Sequence, residues 1–205
     1  MIMEKISDSK MAKFIKMITL AGSLGVSACA SQPPHEPPQL NLKEQEGKLV
    51  PVSAILNQKI PESYLRKIYD IVSKNKRGLI IAKSYNIHYL YDKGQVINIG
   101  PVGTARTKLG FNTPEGEFPV LRKEGPDYKS KEFAGAEMGY AIFFTDTGKA
   151  FHTSTNYAIR YNKETGQKEV FLLINSSHGC ANGLFADAKI ANIVLQIGDK
   201  ITILE

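Results

Sequence analysis

Residues 176–183 read Ser-Ser-His-Gly-Cys-Ala-Asn-Gly, a thiol and an imidazole two positions apart around a glycine. A thiol attacks a carbonyl carbon as the thiolate, so a reactive Cys180 needs a base within reach and some access to solvent. His178 is close along the chain, and residues i and i+2 point the same way on an extended segment. His152, in Gly-Lys-Ala-Phe-His-Thr-Ser, is a second candidate that only the fold can bring near. Thr153 follows it and is placed to orient its imidazole. Gly179 permits a tight turn, after which the N–H groups of Cys180 and its neighbours can face a developing oxyanion. Cys180, His178 and His152 are also legitimate zinc ligands, but no fourth ligand and no CxxC or HExxH spacing accompanies them. A merely polar turn is the third reading of these residues.

The use of cysteine bears on that choice, because the 205-residue chain has only two, Cys29 and Cys180. Residues 11–29 begin with Lys13 and Lys16, continue with an apolar run from Met17 to Val26, and end on small residues before Cys29. That is the layout of a secretory signal peptide, and its apolar run is too short to span a bilayer. Val26-Ser27-Ala28-Cys29 resembles the bacterial lipobox, in which the cysteine is lipidated and becomes the mature N-terminus. The expectation is a signal peptide over residues 1–28 and a lipid anchor on Cys29. Glu4 and Asp8 suit a signal peptide poorly, which leaves Met11 as an alternative start. Residues 29–50 carry four prolines between Pro33 and Pro38 and read as an extended tether, with His35 a solvated linker residue. With Cys29 lipidated, Cys180 has no partner in its own chain and is either buried and inert or kept for its chemistry.

Composition sets the outer bounds. The chain is 42% hydrophobic and 22% charged, enough to bury a core. Its formal charge of +6 is spread without dense Lys/Arg runs or a basic helix face, so nucleic acid is not an expected partner.

Residues 51–78 read as a helical lead-in, with Tyr64, Leu65, Ile68, Ile71 and Val72 on one face of a helix over 60–78. Pro61 suits its first turn, and Lys74, Lys76 and Arg77 suit its C-terminal dipole before Gly78. From Leu79 onward the pattern turns to short strands divided by turns such as Asp92-Lys93-Gly94 and Pro114-Glu115-Gly116. His88 alternates with apolar neighbours and reads as a strand-face residue rather than a ligand. A short helix over about 186–196 follows the Cys180 loop. Many short strands and few short helices predict a mostly β domain, sandwich-like or barrel-like, over residues 79–205.

His152 followed at a distance by Ser177-His178-Gly179-Cys180-Ala181-Asn182 resembles the catalytic signature of the bacterial L,D-transpeptidases. Residues 88–106, 112–120 and 138–154 are similar to the family's early hairpin, its Thr-Pro-x-Gly-x-Phe turn and its strand leading into the histidine. The segment 153–176 is longer than the family's usual gap, and its polar residues 160–169 read as an added hairpin beside the site.

The resemblance implies a two-step acyl transfer on peptidoglycan stem peptides. Cys180 attacks the L-centre carbonyl of the third residue and expels D-alanine. His152 takes the thiol proton or sustains a thiolate–imidazolium pair, and Thr153 orients it. The Gly179 and Cys180 N–H groups hold the oxyanion with Tyr140 assisting, while Ser177, His178 and Asn182 shape the loop. It also implies acylation by carbapenems and no metal or organic cofactor. The acceptor stays open: another stem peptide for a 3→3 cross-link, a protein lysine, a free D-amino acid, or water. An L,D-carboxypeptidase or wall-peptide hydrolase and a non-catalytic peptidoglycan-binding lipoprotein are the alternatives. With Ala30 after the anchor, the expected place is the periplasmic side of the outer membrane.

Overall fold

Leu79, Ile80, Ile81 and Ala82 form an unbroken apolar run with no exposed side chain. Such a run belongs to a strand covered on both faces. It is the core of β2 (Arg77–Ala82), one of nine strands in the main sheet. The computed structural model describes residues 11–14, 16, 45–131, 133–161 and 166–205. The other strands, in chain order, are β1 (Leu49–Pro51), β3 (Ile87–Asp92), β4 (Gln95–Gly103), β5 (Gly116–Pro119), β6 (Arg122–Lys123), β7 (Ile142–Phe143), β8 (Ala150–Thr153), β9 (Tyr157–Tyr161), β10 (Lys168–Leu173), β11 (Ala181–Gly183) and β12 (Lys200–Leu204). Among the described residues the helices α1 (Val52–Leu56), α2 (Glu62–Lys74) and α3 (Phe185–Val194) accompany them, and residues 11–14 and 16 are also helical.

The main sheet runs β5-β12-β2-β3-β4-β11-β8-β7-β6 and curls into a half-barrel. A second sheet, β1-β10-β9, lies beside it. The fold is thus mostly β with few short helices, as the strand pattern predicts. β3 and β4 are joined through Lys93 (φ 50°) and Gly94 (φ 73°), the two left-handed residues that a two-residue hairpin turn requires.

The two faces of β2 feed two cores. Ile80 and Ala82 join Leu65, Ile68 and Val72 of α2 and Ile55 of α1. Leu79 and Ile81 join Phe151 of β8 and Ala188 and Ala191 of α3. Burying a large aliphatic side chain stabilises by roughly 1.5–3 kcal/mol, so this double layer is the rigid floor under the loops.

Three expectations change. The helix begins after Pro61 as expected but stops at Lys74, because the Asn75 side-chain amide donates to the Ile71 carbonyl at 2.7 Å and its backbone turns extended. Lys76 and Arg77 therefore do not cap a helix; Arg77 opens β2 and pairs with Asp199 at 2.5 Å. Gly78 is a strand residue, where a Cβ would collide with the Tyr91 ring and the Lys200 carbonyl. The stretch expected to end as tether also contributes structure, since Leu49–Pro51 pairs with β10. The expected signal peptide and tether otherwise lie outside the described residues, apart from 11–14, 16 and 45–48. Met11 and Phe14 are buried, with the Phe14 ring edge-on to Tyr69 at 5.0 Å.

Candidate active site

The chain leaves β10 through Asn175, which takes a left-handed turn (φ 49°). Its side-chain oxygen accepts hydrogen bonds from Thr104 Oγ1 at 2.8 Å and from Asn86 Nδ2 at 2.7 Å. Asn86 is itself fully buried and left-handed (φ 50°), and its amide also donates to the Val102 carbonyl. This buried amide cluster ties the entry of the cysteine loop to the end of β4. Two backbone bonds extend the seam: Ser177 N–H to the Thr104 carbonyl at 3.1 Å, and Arg106 N–H to the Ser177 carbonyl at 3.0 Å.

Within the loop, Ser177 Oγ accepts the Gly179 N–H at 3.1 Å and donates to the Cys180 carbonyl at 2.6 Å. Gly179 has φ 137°, and a Cβ there would lie 2.8 Å from Lys149 Cε and 3.1 Å from the Asn112 carbonyl oxygen. Only glycine fits this turn without strain.

After the turn comes β11, three residues long, antiparallel to β4 and parallel to β8. Asn182 stands in register with His152, and Ala181 with Phe151. Register partners share a sheet face, and so do residues i and i+2. Cys180 immediately precedes β11, two residues before Asn182. Cys180 and His152 line a pocket of about 740 Å³, together with Ser177, His178, Asn182 and Arg106.

His152 is only 8% exposed, and its Nδ1 lies 2.7 Å from the Thr153 carbonyl oxygen. A carbonyl only accepts, so Nδ1 carries the proton and Nε2 keeps the basic lone pair. Burial lowers the imidazole pKa to about 4, against a smaller upward pull from the Thr153 carbonyl. Burial also pushes the Cys180 thiol up, opposed by a hydrogen bond from the Ala150 backbone and by the Lys149 charge. Both shifts disfavour the charged forms, imidazolium and thiolate alike.

The expected residues divide by position. Thr153 orients His152 through its main-chain carbonyl, which any residue type supplies. Gly179 N–H, one of the two expected oxyanion donors, bonds to Ser177 Oγ at 3.1 Å. Tyr140 does not line the pocket: its backbone is left-handed (φ 55°) and its ring packs against Phe185 at 5.4 Å. His178 is exposed at the pocket rim, edge-on to Phe111 at 4.3 Å. Asn182 is 7% exposed, and its buried side-chain oxygen has no hydrogen-bond partner among the described residues. Cys29 lies outside the described residues. Asn86, Asn175, Arg106 and Lys149 were not singled out by the sequence, because an isolated amide or cation carries no spacing signal. Among the described residues, no group of three His, Cys, Asp or Glu side chains converges to hold a metal ion.

The family model for YkuD, the L,D-transpeptidase catalytic domain, matches residues 76–203. Two solved structures share the fold. An L,D-transpeptidase from Stackebrandtia nassauensis aligns with a TM-score of 0.50 and 24% identity, over 64% of this chain and 57% of that one. An L,D-transpeptidase from Mycobacterium tuberculosis H37Rv aligns with a TM-score of 0.50 and 20% identity, over 64% and 58%. The chain therefore spans less than two thirds of either protein. Comparison with curated proteins finds no match.

Proposed function

The chain belongs to the L,D-transpeptidase catalytic domain family, and on that premise we propose that it is a peptidoglycan L,D-transpeptidase working through an acyl-cysteine. The observation that supports this reading is that Cys180 and His152 line one pocket, with Asn182, two residues after Cys180, in register with His152. As Cys180 Sγ attacks the carbonyl of the third stem residue, its proton passes to His152 Nε2. The Cys180 N–H stabilises the oxyanion. Collapse breaks the amide bond, the imidazolium returns the proton to the departing D-alanine amine, and a thioester remains. An acceptor amine then loses its proton to His152 and takes the acyl group, and the thiol is restored. Neutral starting groups suit this general-base route, because the imidazole is unprotonated and ready at neutral pH.

Incubating the purified protein with a tetrapeptide-bearing muropeptide, followed by mass spectrometry, tests the reading. A cross-linked dimer with loss of one D-alanine supports transpeptidation. Tripeptide alone would assign a hydrolase, and unchanged donor would leave a binding protein.

We also propose that Cys29 carries lipid and holds the domain on the periplasmic side of the outer membrane. The support is the Val-Ser-Ala-Cys ending and the proline-rich segment after it. No helix among the described residues is long and apolar enough to cross a membrane. Cys29→Ser should release the protein from the membrane fraction; unchanged mass and fractionation would refute the anchor.

A further inference from the structure

Among the described residues, Arg66 pairs with Glu62, Arg77 with Asp199 and Arg122 with Glu124. Arg106 does not. Its side chain lines the same pocket as Cys180, and its Nε is buried with no hydrogen-bond partner among the described residues. No described carboxylate is paired with it. A guanidinium stays charged at any physiological pH and offers five donors in a planar fork suited to a carboxylate. Leaving such a donor buried and unmet is costly, which makes the position one that awaits an acceptor.

Its surroundings narrow the acceptor to an anion. Lys149 lines the pocket as well, and its ammonium donates to the neutral Asn112 carbonyl at 3.0 Å. Glu137 is the acidic residue among the described lining, and its carboxylate is 3.5 Å from Lys129 Nζ. The pocket is therefore cationic beside the thiol. Arg106 is also held in place by its main chain: Ala105 bridges to Ser177, and Arg106 N–H bonds the Ser177 carbonyl, three residues before the nucleophile. A group bound by Arg106 is thus registered against Cys180 itself.

We propose that Arg106 anchors the donor, binding a carboxylate that the peptide carries within one residue of the bond Cys180 attacks. The inference rests on the transpeptidase reading above. Two carboxylates meet the description: the terminal carboxylate of the departing D-alanine, and a side-chain carboxylate of the third residue.

The test measures release of the fourth residue by the purified full chain from three donors: the acid form and one amidated at the third-residue side chain, which release D-alanine, and one amidated at the terminal carboxylate, which releases D-alaninamide. Amidating the group that Arg106 binds should lower kcat/KM by about ten- to a hundredfold, mainly through KM, as loss of a charge-assisted hydrogen-bond pair does. Arg106→Gln should lower kcat/KM for the acid donor by a similar factor and become indifferent to that amidation, while Arg106→Lys keeps part of the preference. A wild-type protein indifferent to both amidations would overturn the inference without touching transpeptidation, and this arm needs no variant to fold. Arg106→Gln that still discriminates as the wild type does would also overturn it. Release from none of the three donors would remove the transpeptidase reading, and the anchor with it.

Discussion

Asn182 and His152 face each other as register partners on parallel strands, and Cys180, two residues before Asn182, lines the same pocket as His152. The two catalytic candidates are 28 residues apart in sequence, from 152 to 180, yet three residues of strand bring them to one pocket. β11 is held from both sides, by β8 and by β4, so the geometry belongs to the sheet rather than to a mobile loop.

The first expected outcome separates the two histidines. His152 is buried on β8 with its tautomer set by Thr153, whereas His178 is exposed and edge-on to Phe111. His152→Ala should slow acylation by about 10²–10⁴-fold, the usual range for a lost general base. His178→Ala should cost less than about tenfold. Stopped-flow acylation of the two variants checks this, and equal losses would mean that the base is misassigned.

Acid pH gives a second outcome. With its pKa lowered from 6.5 to about 4, His152 stays neutral far below the range of an ordinary histidine. The acylation rate at pH 5.5 should therefore stay close to its value at pH 7, whereas an unshifted base would retain only about a tenth of its neutral form. A pH–rate profile with its acid limb near 6.5 would contradict the shift.

The same shift is a statement about stability. An imidazole with a folded pKa below its unfolded one binds its proton more readily when unfolded, so stability falls as pH drops from about 6.5 to about 4. The full effect is on the order of 3 kcal/mol. Asp187, whose carboxyl burial pushes up, works in the opposite direction, so the informative quantity is a difference between proteins. Urea unfolding of His152→Gln should lose less stability across that window than the wild type; parallel curves would refute the assignment.

Gly179→Ala tests the loop. The alanine would have to hold φ 137° with its Cβ 3.1 Å from the Asn112 carbonyl oxygen. Strained backbone of this kind costs roughly 1–3 kcal/mol. Relief of the strain would shift Cys180, because Ser177 Oγ links Gly179 N–H to the Cys180 carbonyl. The variant should melt lower and acylate more slowly; a variant with wild-type melting and rate would show that the turn does not need glycine.

Much of this was legible in the chain itself. The apolar run 79–82, the face of α2 and the Lys93-Gly94 turn follow from local patterning, and His88 lies on a strand, as its alternation predicts. What stayed hidden depends on contacts between distant segments. Ala181-Asn182-Gly183 has little intrinsic strand preference, and its extended form is imposed by the neighbours on either side. Gly78 reads as a helix stop until Tyr91 and Lys200 are seen to crowd it. Asn86 and Asn175 carry no signal in the sequence, and their shared role appears only when the fold joins two turns 89 residues apart.

The nucleophile and the metal question can be decided in one experiment. A carbapenem carries a strained lactam carbonyl, which an activated thiol opens to a thioester, so the adduct adds the whole reagent mass. Cys180 is half-buried, and burial pushes its thiol up, so acylation at neutral pH depends on proton transfer to His152. The wild-type protein should gain one carbapenem mass at pH 7. Cys180→Ala should gain none, and His152→Ala should gain it far more slowly. Excess EDTA should leave the rate unchanged, because the base in this scheme is an imidazole and the oxyanion donor a backbone N–H. Loss of labelling in EDTA with recovery in zinc would replace the scheme with a metal site using Cys180, His178 and His152. Labelling that survives in Cys180→Ala would place the reactive group elsewhere.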